Sequence, residues 1–248
     1  MSATLDLNAD LGEGVGDDEA MLDIVSSANI ACGGHAGDEA SMRAALRAAK
    51  ARGVVVGAHP SFPDRANFGR TRMVLPPEEL DATIRAQVRT LVELGEEERW
   101  PVRYVKLHGA LANMAAEEPA VAALCFAAVE GLVAGMAILA IDNSAQSEVA
   151  EALGFRTIRE AYADRAYQPG GLLVPRQMPG AVLHDTAAIA ARAVRLAEQR
   201  EIVGIDGGVI KTTAQSLCIH GDTPDAIEIA RAVKAGLAAA GVEIHAAL

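Results

Sequence analysis

Four histidines occupy the same kind of position in this sequence, each at or just after the end of a short apolar run and within two residues of a glycine or proline. They are His35 after NIACGG, His59 after VVVGA, His108 after YVKL and His220 after SLCI. Asp10 takes the matching place after the first run and leads into Leu11-Gly12-Glu13-Gly14. Two chemistries fit this set. Asp10, His35 and His59 can ligate a divalent metal that activates water. Alternatively, Asp10, His35, His59 and His108 can act as general bases and acids without a metal. Spacing leaves both open. A single strand-end histidine is usually structural, but four of them together with Asp10 point to a functional site. His184 and His245 fall outside the pattern and read as surface residues.

Further residues can serve a substrate. Lys106 and His108 share one strand face, so Lys106 either binds an anion or pairs with an interior acid. Asn8 shares a face with Asp6 and Asp10 and is a candidate for substrate binding or for structural hydrogen bonding. His220 shares a face with Ser216 and Cys218. Arg165, in the loop ADRAYQ (163–168), can clamp a carboxylate with two hydrogen bonds or pair with Asp164 or Glu160. Asp38 and Asp222 follow His35 and His220 and either contact substrate or cap the next helix. Other chemistries fail on spacing. The glycines after the first strand miss the dinucleotide fingerprint, and the sequence has no phosphate loop, no GxSxG elbow and no HExxH helix. Cys32 and Cys218 read as small packing residues rather than nucleophiles.

Runs of strand length alternate with alanine-rich helical stretches along the whole chain. Strands are expected at 3–9, 27–32, 54–58, 103–107, 136–141, 155–160 and 214–219, and helices at 38–52, 77–94, 185–199 and 223–240. The last helix opens Thr223-Pro224-Asp225, a cap followed by proline in the first turn. Strand and helix alternating in this way specify a parallel α/β architecture. The β-branched run Val54-Val55-Val56 suits a strand covered on both faces. The reading is a single (β/α) barrel of seven or eight strands, one domain over 1–248, with an open doubly wound sheet as the alternative. Active sites of such folds lie at the carboxyl ends of the strands, where the histidines stand. Polar residues sharing strand faces must then point into the barrel and need partners there.

Composition bounds the partners. With 22 Lys+Arg against 33 Asp+Glu, the formal charge of −11 disfavours nucleic acid and anionic membranes. No apolar run approaches a membrane span, and the N-terminus lacks a signal-peptide pattern. Three cysteines without a CxxC pair read as reduced thiols, so the expected compartment is the cytoplasm. Aromatic residues make up only 3%, which leaves little for an apolar ligand site and favours a small, charged substrate.

The motifs DLNADLGEG (6–14), SANIACGGHAGD (27–38), GAHPSFPD (57–64), VKLHGAL (105–111), EAYADRAYQ (160–168) and CIHGDTP (218–224), in this order, resemble the LamB/YcsF family of ATP-dependent 5-oxoprolinase A subunits. The sequence departs from the family's usual pattern at Leu107 (usually Pro), Ala112 (usually Tyr) and Gly34 (usually aromatic), and the loop between Gly14 and Gly16 is short. The resemblance implies a barrel related to the polysaccharide deacetylases and an activity that opens the lactam of 5-oxo-L-proline to L-glutamate. It also implies ATP hydrolysis and two partner subunits, B and C. Without a phosphate loop, ATP is expected to bind mainly on or with those partners. Two other functions stay open: a stand-alone metal-dependent amidohydrolase or deacetylase, and a non-catalytic scaffolding protein.

Overall fold

Seven short parallel strands close into a barrel whose outer strand faces are mostly apolar and whose inward polar residues find partners inside. The protein is described here by a computed structural model covering residues 4–222 and 225–248. The strands are β1 Thr4–Leu11, β2 Ser27–Ala31, β3 Val55–His59, β4 Val102–Val105, β5 Ala137–Ile141, β6 Thr157–Tyr162, β7 Glu201–Val203, β8 Val209–Lys211, β9 Ser216–Cys218 and β10 Glu243–Ile244. Six neighbours in chain order, β1 to β6, are followed around the barrel by β9, which pairs with both β6 and β1 and closes it. The short β10 adds to the start of β1, and β7–β8 form an antiparallel hairpin outside the barrel.

The helices are α1 Asp18–Leu22, α2 Glu39–Arg52, α3 Pro77–Glu97, α4 Gly109–Glu117, α5 Pro119–Ala127, α6 Ala145–Ala152, α7 Thr186–Gln199 and α8 Ala226–Ala239. Local chemistry sets their ends. Asp38 and Ser41 form a reciprocal capping box at the start of α2, and Gly53, at φ 69°, ends it. Proline opens α3, whose Leu80, Ile84, Val88 and Leu91 are buried at helical spacing. It runs three residues past the expected end because Gly95, Glu96 and Glu97 continue the turn. The cap expected at Thr223-Pro224 lies outside the described residues. No described helix is long and apolar enough to cross a membrane.

The alternation in β1 divides the structure. Leu5, Leu7, Ala9 and Leu11 are buried in the main apolar core, while Asp6, Asn8 and Asp10 are buried with polar partners. Asp6 accepts hydrogen bonds from Ser26, Ser27 and Ser216, and burial pushes its carboxyl above the ordinary range despite those bonds. Asn8 donates to Glu160 and Ser216, both at 2.8 Å. A smaller apolar cluster of Tyr104, Ala137, Leu139 and Ile158 is packed by the C-terminal Ala247 and Leu248. Gly57 leaves room for Tyr104: a Cβ there would lie 2.2 Å from the tyrosine ring. The Tyr104 hydroxyl donates to Asn29 at 2.7 Å.

Candidate active site

Lys106 is the centre of the barrel's charge. Its ammonium lies 3.1 Å from Asp10 Oδ1, 2.9 Å from Glu160 Oε1, 3.2 Å from Asn8 Oδ1 and 3.1 Å from Cys218 Sγ. Burial works against the charge, yet Asp10, Cys218 and Glu160 hold the ammonium well above its ordinary pKa. An ammonium with three N–H groups and four such partners has no capacity left for a substrate anion. Of the two readings of Lys106, pairing with interior acids is correct. Asn29 donates to Asp10 Oδ1 at 2.8 Å, so that oxygen is doubly held. Burial alone would raise the Asp10 carboxyl, but His59 and Lys106 hold it well below the carboxylate range.

The other Asp10 oxygen, Oδ2, faces His59 Nε2 at 3.4 Å. His59 Nδ1 donates to the Lys106 carbonyl at 2.8 Å, and His108 Nε2 donates to the Phe68 carbonyl at 3.0 Å. The remaining nitrogens, His59 Nε2 and His108 Nδ1, meet at 2.9 Å. His35 stacks on His108 with ring centroids 3.6 Å apart, and its Nε2 is 2.9 Å from Glu13 Oε1. Burial drives His35 down to about 3, with the neighbouring His59 adding to the effect, and lowers His108 well below its ordinary value. Glu13 is pushed up to about 9 by burial and by the charges of Asp10 and Asp222.

Across the cavity, His220 Nδ1 lies 2.8 and 2.9 Å from the two oxygens of Asp164, and its ring stacks on Tyr162. Burial pushes the Asp164 carboxyl up, but His220, together with Arg176 and a backbone hydrogen bond, brings it below its ordinary value. This is the arrangement in which a carboxylate orients an imidazole and leaves its other nitrogen free to move a proton. Asp10, His59, Lys106, His108, Tyr162 and His220 floor a cavity of about 190 Å³. Arg70, Arg72 and Arg176 line it with Glu13, Glu117 and Asp222.

Residues 5–248 match the LamB/YcsF family. The chain belongs to that family. Over 246 residues it is 44% identical to a protein of Pseudomonas syringae pv. tomato named as a 5-oxoprolinase A subunit, covering 97% of this chain and 96% of that one. It superposes on the lactam utilization protein of Thermus thermophilus with a TM-score of 0.92 at 40% identity, covering 98% and 99% of the two chains. A family 4 carbohydrate esterase from Streptomyces lividans is similar in fold alone, with a TM-score of 0.50 at 12% identity over 98% of this chain and 91% of that one.

This LamB/YcsF chain thus gathers Asp10, His35, His59, Lys106, His108 and His220 at one end of its barrel, as their strand-end positions require. Four sequence-based expectations change, besides that for Lys106. Asp38 is exposed and its carboxylate is used in the cap of α2, so it does not reach the cavity. Asn8 is fully buried beneath the cavity and spends its amide on Glu160, Ser216, Asn29 and Lys106. Arg165 lines the cavity, but its guanidinium donates to the carbonyls of Ala181 and Val174 and braces the loop over the site. His35 stands behind His108 and does not line the cavity. His184 and His245 are exposed.

Glu13, Glu160, Tyr162 and Asp164 are site residues that the sequence alone does not single out. Glu160 and Tyr162 follow from strand alternation once β6 is extended to residue 162. Glu13 is flanked by Gly12 and Gly14, both with positive φ, and only an acid between two such glycines hints at it. Gly34 is explained by packing: a Cβ there would meet Gln87 Oε1 at 2.3 Å and Ser61 Oγ at 2.5 Å. Gln87, bonded to both backbone groups of Ser61, fills the space of a side chain at position 34.

Proposed function

We propose that this chain is the A subunit of an ATP-dependent 5-oxoprolinase, opening the lactam of 5-oxo-L-proline to L-glutamate together with B and C subunits. The observation that carries this reading is the 44% identity, across nearly the whole chain, to a protein named as a 5-oxoprolinase A subunit. The site's chemistry supports it. The cavity is polar, small and rimmed by arginines, as a compact anionic substrate needs. Arg70 and Arg176, partly exposed at the cavity beside Asp222, are the side chains assigned to the substrate carboxylate, because the Lys106 ammonium and the Arg165 guanidinium are enclosed by buried partners.

Ring opening adds water across the C–N bond, so one group must take a proton from water and another must protonate the departing ring nitrogen. Asp10, held ionised with Oδ2 turned to His59, is assigned to the first task. His220, oriented by Asp164, is assigned to the second. An amide resists attack by water, and ATP would supply the activation. Its γ-phosphoryl group passes to the lactam oxygen as ADP leaves. Water then opens the ring to an acyl phosphate, and a second water releases inorganic phosphate to give glutamate. The sequence has no phosphate loop, so ATP is assigned to a site on or shared with the partner subunits. Three buried free thiols, Cys32, Cys125 and Cys218, suit work in a reducing cytoplasm.

The test is glutamate release from 5-oxoproline and ATP by this chain with its B and C partners. Turnover that requires all three proteins supports the proposal. Well-folded subunits that form a complex without turnover overturn it.

A further inference from the structure

The chain has three tyrosines, all buried, and two of their hydroxyls are spent inside the protein. Tyr104 donates to Asn29 at 2.7 Å, and the Tyr167 hydroxyl accepts from the Tyr162 backbone N–H at 2.6 Å. The Tyr162 hydroxyl has no hydrogen-bond partner among the described residues, although Tyr162 is only 7% exposed. A buried phenol normally finds a partner, so an idle one needs an explanation. Tyr162 ends β6, where alternation puts it on the inward face with Glu160. Its ring stacks on His220, with centroids 5.3 Å apart, and its centroid lies 5.2 Å from the Lys106 ammonium. The hydroxyl is not sealed into the packing, and the side chain lines the cavity with Asp10, Lys106 and His220.

The other buried side-chain donors around that cavity are committed. Lys106 spends its N–H groups on Asp10, Asn8, Glu160 and Cys218. Arg165 donates to the carbonyls of Ala181 and Val174. His59 and His108 each donate one nitrogen to a backbone carbonyl, and a single proton between their other nitrogens satisfies both across 2.9 Å. His220 is held by Asp164 at Nδ1, and its other nitrogen is assigned to the ring nitrogen of the substrate. Tyr162 is left as the buried side chain with a hydrogen to offer. Burial, with Glu160 adding to it, holds the phenol well above its ordinary value, so it keeps that hydrogen. Hydrolysis needs such a donor. When water adds to a carbonyl carbon, negative charge gathers on the carbon's oxygen, and a preorganised hydrogen bond stabilises it.

We infer that Tyr162 is a catalytic residue whose hydroxyl donates a hydrogen bond to the oxygen on the carbon that water attacks. The inference rests on the 5-oxoprolinase reading and adds a third task to the two already assigned. Asp10 takes the proton from water, His220 serves the departing nitrogen, and Tyr162 serves the oxygen. In the acyl phosphate that oxygen becomes an oxyanion as the second water adds, and it returns to a carbonyl as phosphate leaves. The phenol keeps its proton throughout, and no covalent bond to Tyr162 forms or breaks. Its ring is set before substrate arrives, by the stack on His220 and by the Tyr167 hydroxyl that holds its backbone N–H. The hydrogen bond therefore needs little reorganisation at the moment of reaction.

Tyr162→Phe tests this, because it keeps the ring and its stack and deletes the hydroxyl alone. In the complex with B and C subunits, supplied with 5-oxoproline and ATP, kcat is expected to fall about 10²–10³-fold while KM stays within about threefold. Thermal unfolding of the purified chain is expected at the wild-type Tm, since the hydroxyl holds nothing in the resting protein. A wild-type kcat, whether KM is unchanged or raised, overturns the role. A Phe chain that unfolds at a clearly lower temperature, or fails to fold, also overturns it, because the hydroxyl is then structural. A wild-type complex without turnover is the failure of the 5-oxoprolinase reading itself. A wild-type complex that turns over, matched by Tyr162→Phe, is the failure of this inference alone.

Discussion

His220 and Asp164 form a buried imidazole–carboxylate pair, with Nδ1 at 2.8 and 2.9 Å from the two carboxylate oxygens. The pair joins the loop after β6 to the end of β9 and turns the other imidazole nitrogen toward the cavity. Asp164→Asn keeps the shape but removes the acceptor that sets the tautomer. It is expected to lower kcat by on the order of 10²-fold or more while KM changes little. Steady-state kinetics of the reconstituted complex check this. A raised KM with kcat intact would assign His220 to substrate binding instead.

The same pair makes stability sensitive to acid. The Asp164 carboxyl lies below its ordinary value of 3.8 in the folded protein, since His220, with Arg176 and a backbone hydrogen bond, together outweigh burial. Its contribution is therefore present above pH 3.8 and is lost as pH falls through the depressed folded value. Urea unfolding at about pH 5 and about pH 3 should show a smaller acid-induced loss in Asp164→Asn than in wild type. Equal losses would mean that the pair does not couple folding to protonation.

Removing the Lys106 charge leaves Asp10 and Glu160 buried without their cation. Lys106→Met is expected to destabilise the fold by about 3–5 kcal/mol in chemical denaturation. Adding Glu160→Gln removes one of the two stranded charges and should restore part of the loss. If Lys106→Met unfolds at the wild-type midpoint, the charge balance assigned to the barrel interior is wrong.

Gly57→Ala places a methyl group where the Tyr104 ring lies. The ring must shift, loosening its bond to Asn29, the residue that holds Asp10 Oδ1. A cost of about 1–3 kcal/mol and a lower kcat are expected. Thermal unfolding and steady-state kinetics read the two effects, and an unchanged Tm would show that the barrel accommodates the methyl group.

The barrel is legible in the sequence because parallel strands covered on both faces leave a plain apolar signal. All seven expected runs are its seven strands, with ends that agree to about two residues. Lys106 is legible as an interior residue, but only distances decide between anion binding and pairing. The β7–β8 hairpin, exposed at Val209 and Lys211, carries no comparable pattern. Asp164 lies beyond a strand, where alternation no longer says which way a side chain points. Its partnership with His220 spans 56 residues of sequence and depends on how the barrel closes. Arg165, its neighbour, carries the stronger chemical signal and is a brace for the loop.

Glutamate and ADP formed from 5-oxoproline and ATP, by this chain with its B and C partners, measure the central claim most directly. Equal amounts of the two products, abolished by omitting this chain, are the expected result. Glutamate formed by this chain alone without ATP would contradict the assignment and point to a stand-alone amidohydrolase. A fully assembled complex that releases no glutamate would contradict it outright.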